Sequence, residues 1–252
     1  MKVICFYWQG DRWQEKGYEE DPKHTNLQHT SLNKLGMVDT KLVSRYVNNL
    51  YLGVKRFIDV PFDFICFTNE PLKGINKDVE LRPFKQVTKH GVLPRLYMFS
   101  EEAGLFGHQV LCLDLDIIIV GPLQEFIAYD GEFCARAKFK PGEEWKLDGD
   151  IMSFRACKET EDKFWKPFIN NIEASVELTQ GRERYWMRHV AVDTADMWTN
   201  VAPTRRIVSY KRHVRAVTRR IDRPPKRVSI ISCHGSPRPH QITKLWIKNY
   251  WK

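Results

Sequence analysis

The sequence predicts an α/β protein in which helices cover a largely parallel central sheet. Apolar, strand-like runs alternate along the chain with segments of helical period. One run, Val110–Val120, is apolar on both faces, as strands in the middle of a covered sheet are. A length of 252 residues suits one large or two small domains. Because the chain shows no linker long enough to separate a pair of domains, we predict a single domain over residues 1–252.

The first half of the chain supplies three of the expected strands and one clear helix. Val3–Trp8 is an apolar run typical of a strand. Residues Arg12–Asn33 are polar and show no regular period, which favours a loop or insertion over residues 10–40. Thr40–Ile58 is predicted to be an amphipathic helix, because its apolar residues recur at steps of three and four. Strands are then expected at Phe62–Thr68 and at Val79–Pro83.

The second half continues the alternation. Leu93–Leu105 is predicted to be helical, with Pro94 in its first turn, where a proline costs little. The apolar run Val110–Val120 follows as one strand and stops at Gly121. Further strands are predicted at Phe133–Ala137, Asp150–Phe154 and Val228–Cys233, and further helices at Lys163–Ile172 and Gln241–Tyr250.

Composition excludes several classes of protein. Apolar residues make up 42% of the chain and charged residues 28%, which is globular and argues against disorder. No apolar run reaches the length of a membrane-spanning helix. Val3–Trp8 is too short for a signal-peptide core, so we expect a cytoplasmic protein. Cys5, Cys66 and Cys112 lie in apolar runs and no CxxC pair occurs, which indicates buried thiols.

The net charge of +9 is concentrated in one segment. Thirteen Lys and Arg residues lie between Arg182 and Arg227, against four acidic residues. Such a segment indicates an anionic partner, which would be phosphate, nucleic acid or a membrane face. The alternative is a solvated helix face followed by a basic loop.

Asp114 and Asp116 are the strongest functional signal. Residues i and i+2 of a strand point to the same face, so both carboxylates should project side by side from the run VLCLDLDIIIV. Burying unpaired carboxylates is costly, so something positive must compensate. We predict a divalent cation that bridges to phosphate oxygens. The alternatives are ion pairs with Arg or Lys, or a strand that ends sooner.

Together with other segments, this run resembles a known group of enzymes. LDLDIIIVGPLQEF is similar to the DxD strand of GT-A glycosyltransferases, especially small glycogenin-like, family-8-type bacterial and viral enzymes. YVNNLYLGVKRF, FDFICFTNEP, GVLPRLYMFSEEAGLFG, IVSYKRHVR and ISCHGSPRPHQI resemble further segments of the group. The resemblance covers most of residues 1–9 and 41–252, whereas residues 10–40 match nothing in it.

The resemblance implies a fold and an activity. The fold would be the GT-A (Rossmann-like) sandwich, with a mixed, mostly parallel central sheet between helices. The activity would be transfer of a sugar from a nucleotide-sugar to a hydroxyl acceptor, with retention of anomeric configuration. UDP-sugars are the commonest donors of the group and GDP-sugars the main alternative.

The resemblance also implies a metal site. Asp114, Asp116 and His234 would hold Mn²⁺ or Mg²⁺, and an imidazole ligand suits Mn²⁺ better. The donor-binding residues would be Tyr7, Trp8, Arg95, Asp114, Leu115, Lys211, His213, Gly235 and Arg238.

Four of these donor-binding residues have either an alternative role or a chemical reason for their assignment. An aromatic at Tyr7 or Trp8 would either stack on the nucleotide base or belong to the core. Arg95 would either contact phosphate or pair with Asp114. Arg238 stands where the group often has a phosphate-binding Lys, and arginine can clamp phosphate as well.

The catalytic residues are harder to assign. Asp148 and Asp150, in LDGDIMSF, would orient sugar hydroxyls or the acceptor nucleophile; alternatively, they are turn carboxylates around Gly149. The group often carries an Asp-Gln pair before a helix, and the nearest stretch here, GRERYW, has Glu183 as its only acid. That departure leaves open which residue touches the reacting centre.

Two other functions compete with glycosyl transfer. A metal-dependent phosphohydrolase would also use two carboxylates, and a nucleic-acid-binding protein would use the basic segment 182–227. No helix-turn-helix, zinc or RRM signature supports the latter, so no specific nucleic acid is expected. The expected partners are a nucleotide-sugar and a glycan or other hydroxyl acceptor. The basic segment adds an expected contact with a membrane or an anionic acceptor.

Overall fold

The computed structural model describes residues 1–8, 39–202, 206–215 and 223–252. The strands are β1 (Lys2–Tyr7), β2 (Asp63–Thr68), β3 (Val79–Arg82), β4 (Gln109–Leu113), β5 (Ile117–Ile119), β6 (Phe133–Ala137), β7 (Leu147–Arg155), β8 (Asp196–Met197), β9 (Ile207–Ser209) and β10 (Ile230–Ser232). The α-helices are α1 (Thr40–Phe57), α2 (Gln124–Ile127), α3 (Lys158–Thr160), α4 (Lys166–Asn170), α5 (Ile172–Thr179), α6 (Glu183–Ala191), α7 (Trp198–Val201) and α8 (Leu245–Tyr250). Short 3₁₀ helices span Leu93–Phe99, Glu101–Ala103 and Pro239–Gln241, and π-helical turns span Glu161–Trp165 and Tyr210–Arg215.

Seven strands form the central sheet in the order β3-β2-β1-β4-β7-β6-β8. β7 runs antiparallel to both neighbours, β4 and β6, and the other four pairings are parallel. The predicted α/β class with a mixed, mostly parallel sheet is therefore confirmed. A second sheet, β5-β10-β9, was not expected from the sequence.

Both faces of the central sheet are buried, as the apolar strands predict. Val3 and Cys5 of β1 pack in one core with α1, whereas Ile4 and Phe6 pack in the other core with the 3₁₀ helix Leu93–Phe99. This alternation follows from the two-residue period of a strand. α1 begins where Asp39 accepts a hydrogen bond from the Leu42 amide at 3.0 Å, a typical N-cap.

The prediction of one strand over Val110–Val120 is wrong. β4 ends at Leu113, and β5 begins at Ile117 in the smaller sheet. Asp114 and Asp116 therefore lie in a turn between two sheets, and the i, i+2 argument does not apply to them. Backbone hydrogen bonds help to hold the turn: the Asp114 amide donates to the Asp150 carbonyl at 2.9 Å, and the Ile117 amide donates to the Asp114 carbonyl at 3.2 Å.

Three predicted helices differ from the observed elements. Leu93–Leu105 is two 3₁₀ helices separated at Ser100, and Gly104 ends the second in the left-handed region. Lys163–Ile172 falls across α4 and the turns on either side of it, with α5 starting at Ile172. Within Gln241–Tyr250, only α8 is α-helical, and Gln241 is the last residue of a 3₁₀ helix. The predicted loop at 10–40 lies almost wholly outside the described residues.

The structure bears on two expectations from the composition, one about the cysteines and one about membrane-spanning helices. Cys5, Cys66 and Cys112 are buried free thiols, as predicted. In the described part of the chain, no helix combines the length and apolar character needed to cross a bilayer.

Candidate functional site

The carboxyl edge of the central sheet brings polar residues together. β4 ends there, and β6, parallel to β4, ends there as well. β7 is antiparallel to both, so its first residues, from Leu147, lie beside their last ones. The end of β10 joins them, because the Cys233 amide donates to the Asp116 carbonyl at 3.1 Å.

Arg95 is the first of three arginines that organise this edge. It is 5% exposed. Its Nη1 donates to Asp114 Oδ1 at 2.5 Å and to Glu183 Oε1 at 2.9 Å, and its Nη2 donates to the Gly149 carbonyl at 2.7 Å. Of the two roles considered for Arg95, the structure shows the ion pair with Asp114. Phosphate contact by Arg95 stays a prediction.

Arg136, on β6, is the second organising arginine and also lies buried. Its Nε donates to Asp150 Oδ1 at 2.5 Å, and its Nη2 lies 2.9 Å from Asp148 Oδ2. Asp150 Oδ2 also accepts from the Ser232 hydroxyl at 2.6 Å. Asp148 and Asp150 are inside β7, so the alternative that they are turn carboxylates is wrong.

Arg238 is the third, and its guanidinium Nη1 makes a buried ion pair with Asp116 Oδ2. The Lys211 ammonium lies close to Gly235, in the loop that precedes Arg238. A β carbon built at Gly235 would lie 2.5 Å from Lys211 Nζ. Gly235 has a φ of +74°, a backbone conformation that glycine adopts without strain. The structure thus groups three of the predicted donor-binding residues, Lys211, Gly235 and Arg238.

Phe139 joins the two predicted histidines. Its ring stacks on His234 with centroids 5.7 Å apart, and meets the His213 ring edge-on at 5.4 Å. The Arg136 guanidinium carbon lies 3.9 Å from the centroid of the same ring. His213 Nδ1 accepts a hydrogen bond from the Ser209 amide at 2.9 Å. Phe139 is therefore the apolar wall of the cluster.

Electrostatics make this edge receptive to positive charge. Burial raises the pKa of Asp114 well above its usual range, and nearby carboxylates reinforce the rise despite Arg95. Burial likewise raises the pKa of Asp116 and of Glu183. Burial opposes ionisation of Asp148 too, but Arg136 and Arg184 hold the pKa of that carboxyl below its usual range. The arginines thus leave Asp114, Asp116 and Glu183 incompletely compensated.

The residues present fit a divalent cation in chemistry and charge. No three His, Cys, Asp or Glu side chains within the described ranges converge tightly enough to form a ready-made metal site. Asp150 and, less strongly, Asp116 are the carboxylates that act on the charge of His234, and Asp114 lies in the same turn as Asp116. A cation there would lower the electrostatic cost of the buried carboxylates. It would compete with Arg238 for Asp116.

The remaining predicted donor-binding residues are less accessible. Tyr7 and Trp8 are each 6% exposed, and Trp8 packs edge-on against Phe6 and Phe84. Both side chains thus contribute to the core, and base stacking stays a prediction. Leu115 lies half-buried in the turn between the two aspartates.

Part of the basic segment makes internal contacts. Arg188 donates twice to the Leu147 carbonyl, at 2.9 and 2.6 Å. Arg206 Nη2 donates to Glu125 Oε1 at 2.5 Å. Residues 203–205 and 216–222 of the segment lie outside the described part of the chain. Contact of the segment with a membrane or an anionic acceptor stays a prediction.

Sequence reasoning missed three residues of the cluster: Arg136, Glu183 and Ser232. Arg136 carried a usable signal, because an arginine inside the apolar strand FCARA requires a buried partner. Glu183 was noted as the only acid of its stretch but was not assigned a role. Ser232 had no signal, since serine at a strand end is common.

Solved structures resemble the chain in fold, although no family model and no curated protein matches its sequence. The galactosyltransferase LgtC, solved with donor and acceptor sugar analogues, aligns with a TM-score of 0.63 over 99% of this chain and 94% of its own, at 10% identity. The glycosyltransferase GlyE of Streptococcus pneumoniae TIGR4 aligns with a TM-score of 0.62 at 12% identity, over 100% of this chain and 60% of its own. The bifunctional glycosyltransferase WbbM gives 0.56 at 11% identity, over 99% of this chain and 48% of its own.

These likenesses define the fold class. The chain has the fold of GT-A-like glycosyltransferases, which confirms the prediction made from the DxD run and its companion segments. It spans nearly the whole of LgtC but only about half to three-fifths of WbbM and GlyE.

Gly149→Ala is expected to destabilise the site. A β carbon there would lie 2.4 Å from Glu183 Oε1 and 2.9 Å from Met187 Cε, so the Glu183 carboxylate must shift, which disturbs its bond to Arg95. We expect a loss of about 1–3 kcal/mol in urea denaturation. Glu183→Ala removes the obstructing carboxylate, so the double variant should lose less than the sum of the two single losses. Strictly additive losses would contradict this account.

His234 is expected to titrate below the usual histidine pKa of about 6.5. Burial lowers its pKa, and Phe139 covers one face of the ring. The unfolded chain then takes up a proton near pH 6.5 that the folded state resists, so this residue makes folding less favourable as pH falls through that value. NMR titration should show the low midpoint in wild type and in Phe139→Leu, and a higher midpoint in Phe139→Ala. A wild-type midpoint at or above 6.5 would refute it.

Proposed function

We propose that this protein is a glycosyltransferase that moves a sugar from a nucleotide-sugar to a hydroxyl of a glycan or other acceptor. A UDP-sugar is the first donor to test, and a GDP-sugar the second. One observation carries the proposal: in a glycosyltransferase fold, the Asp114–Asp116 turn lies against the cationic loop that contains Arg238 at the carboxyl edge of the sheet. LgtC, which has this fold, was solved with donor and acceptor sugar analogues.

We further propose that Asp114, Asp116 and His234 hold a divalent cation, Mn²⁺ before Mg²⁺. The ligand chemistry supports this assignment, because hard carboxylates and one imidazole are good ligands for Mn²⁺. When bound, the cation would neutralise charge on the diphosphate leaving group. Asp116 would then exchange Arg238 for the cation, which frees the guanidinium.

The chain supplies its own cations for the leaving diphosphate. Arg238 can clamp a phosphate with two parallel hydrogen bonds, and Lys211 adds a point charge. Gly235, between them, lets a ligand approach the backbone closely because it has no side chain. Once the donor and the cation are bound, these side chains would already be in place before the bond breaks, so they would stabilise charge that develops in the transition state.

Asp148 and Asp150 are assigned to binding hydroxyls. Arg136 keeps the pKa of Asp148 low, so its carboxylate stays ionised and accepts hydrogen bonds rather than protons. Both carboxylates are positioned by Arg136, and Asp150 is additionally held by Ser232. Retention of anomeric configuration, proposed from the family resemblance, is checked by NMR of the first product formed.

Calorimetric binding of UDP, GDP, CDP and dTDP, with and without Mn²⁺, tests the donor site. We expect one nucleotide to bind only with Mn²⁺, and Asp116→Ala to abolish that binding. Asp193→Ala, an exposed aspartate in the turn after α6, is the matched control and should bind like wild type. Failure of all four nucleotides to bind would overturn the proposal. Metal-dependent phosphate release without sugar transfer would instead favour the phosphohydrolase.

A further inference from the structure

A cleft lies away from the carboxyl edge that carries the candidate site. It is open, has a volume of about 480 Å³, and lies between the last turn of α1, the start of segment 223–252 and α8. Arg56, on its wall, is seven residues before Asp63, the first residue of β2. The cleft is therefore near the amino edge of the sheet, opposite the Asp114–Asp116 turn.

The cleft is lined by cations and aromatic rings. The lining residues are Arg56, Arg223, Pro224, Trp246, Asn249, Tyr250 and Lys252. None of them is acidic, and neither α1 nor segment 223–252 contains an Asp or Glu. The lack of acidic residues therefore extends beyond the lining residues to both chain segments that form the cleft.

One of its cations, Arg56, makes contacts within the cleft. Arg56 lies over the Tyr250 ring, with 5.9 Å between the guanidinium carbon and the ring centroid, and its Nη1 lies 3.4 Å from the Asn249 carbonyl. In the described part of the chain, Arg223 and Lys252 have no carboxylate partner. Three cations thus line one space, and the residues that line it in the described part of the chain include no acidic side chain.

Trp246 adds an unsatisfied donor. It is 5% exposed, and its Nε1 has no hydrogen-bond acceptor among the described residues. A buried N–H without an acceptor is costly, and such groups are uncommon in native proteins. An anionic oxygen in the cleft would supply the missing acceptor.

We propose that this cleft binds a phosphate group of an anionic ligand, at a site separate from the donor site. Arginine recognises phosphate with two parallel hydrogen bonds, and clustered like charges are relieved when an anion enters. Either a lipid headgroup or a soluble phosphorylated molecule could carry that group. Leu245, on α8, is 75% exposed, which is compatible with a bilayer surface beside the cleft.

The test uses two probes, both without divalent cations. Inorganic pyrophosphate is titrated by calorimetry, and binding to phosphatidylglycerol vesicles is compared with phosphatidylcholine vesicles by sedimentation. The cleft variant is Arg56→Gln/Arg223→Gln/Lys252→Gln. The control, Lys73→Gln/Lys77→Gln/Lys89→Gln, removes the same charge from exposed positions outside the cleft. Both variants keep Lys211 and Arg238, so any difference between them reports on the cleft.

The cleft variant should lose at least tenfold in affinity for one probe, while the control stays within twofold of wild type. A loss of pyrophosphate affinity confined to the cleft variant identifies a soluble phosphate as the source, and a loss of binding to phosphatidylglycerol vesicles alone identifies a headgroup. Should the triple variant fail to fold, Arg223→Gln alone should weaken binding at least threefold. No binding of either probe, or equal losses in cleft and control variants, would overturn the proposal.

Discussion

Replacing Arg136 with methionine is expected to lower the free energy of unfolding by about 3–5 kcal/mol. The side chain is 4% exposed and holds both Asp148 and Asp150. Its removal leaves the buried Asp150 without its cation and leaves Asp148 to Arg184, whose Nη1 lies 3.9 Å away. The cost of an unpaired buried charge exceeds the value of most single contacts. Urea denaturation measures the loss.

The matched control is Arg155→Met, on the neighbouring strand. Arg155 is exposed and its Nη2 donates to the Asp130 carbonyl at 3.0 Å, so its loss should cost less than about 1 kcal/mol. Adding Asp148→Asn and Asp150→Asn to Arg136→Met should restore some of the stability, because the orphaned charges are then gone. A small loss in Arg136→Met, equal to that of Arg155→Met, would show that the carboxylates find other compensation.

The elements predicted most accurately are those whose buried face is indicated by the local spacing of apolar residues. β6 was predicted with its observed bounds, and α1 to within one residue, because an apolar stripe or run reports directly which face is covered. The fold class followed from their order. Composition also sufficed for the buried thiols, since each lies within an apolar run.

The break after Leu113 could not be predicted from periodicity. The sequence continues equally apolar through Ile117–Ile119, and only pairing with β10, more than a hundred residues later, draws that segment into another sheet. Side-by-side carboxylates from i and i+2 do occur in this protein, but at Asp148 and Asp150 of β7. There a shift in register between Ala135 and Arg136 on β6 brings one arginine to both carboxylates.

The ion-pair partners of the arginines in the site could not be predicted from the sequence either. Arg95 meets Glu183 across 88 residues of sequence, and Arg238 meets Asp116 across 122. Sequence identifies such groups as charges that need partners, but only the register of the strands and the placement of α6 decide which partners they obtain. The metal hypothesis depends on that arrangement too, because Arg238 already occupies one of the proposed ligands.

Lys211→Met is expected to reduce kcat about 100- to 1,000-fold while leaving the unliganded protein as stable as wild type, or slightly more so. Burial lowers the pKa of Lys211, and Arg238 and Arg215 lower it further, so its charge is unfavourable in the free protein. Cations held together at such a cost are typical of sites that await an anion. Steady-state kinetics and thermal unfolding give the two readouts.

Arg212→Met separates the role of Lys211 from a general loss of positive charge. Arg212 is the next residue, is exposed and carries the same charge as Lys211. It lies farther from Gly235, because only Lys211 atoms lie within 4 Å of a β carbon built at that glycine. The Arg212→Met variant should keep kcat within about twofold of wild type, and a nucleoside diphosphate should still raise the melting temperature of that variant. In Lys211→Met that ligand-induced rise should shrink. Equal kinetic losses in the two variants would place the anion-binding function on the segment as a whole, and a lower stability of free Lys211→Met would make Lys211 a structural residue instead.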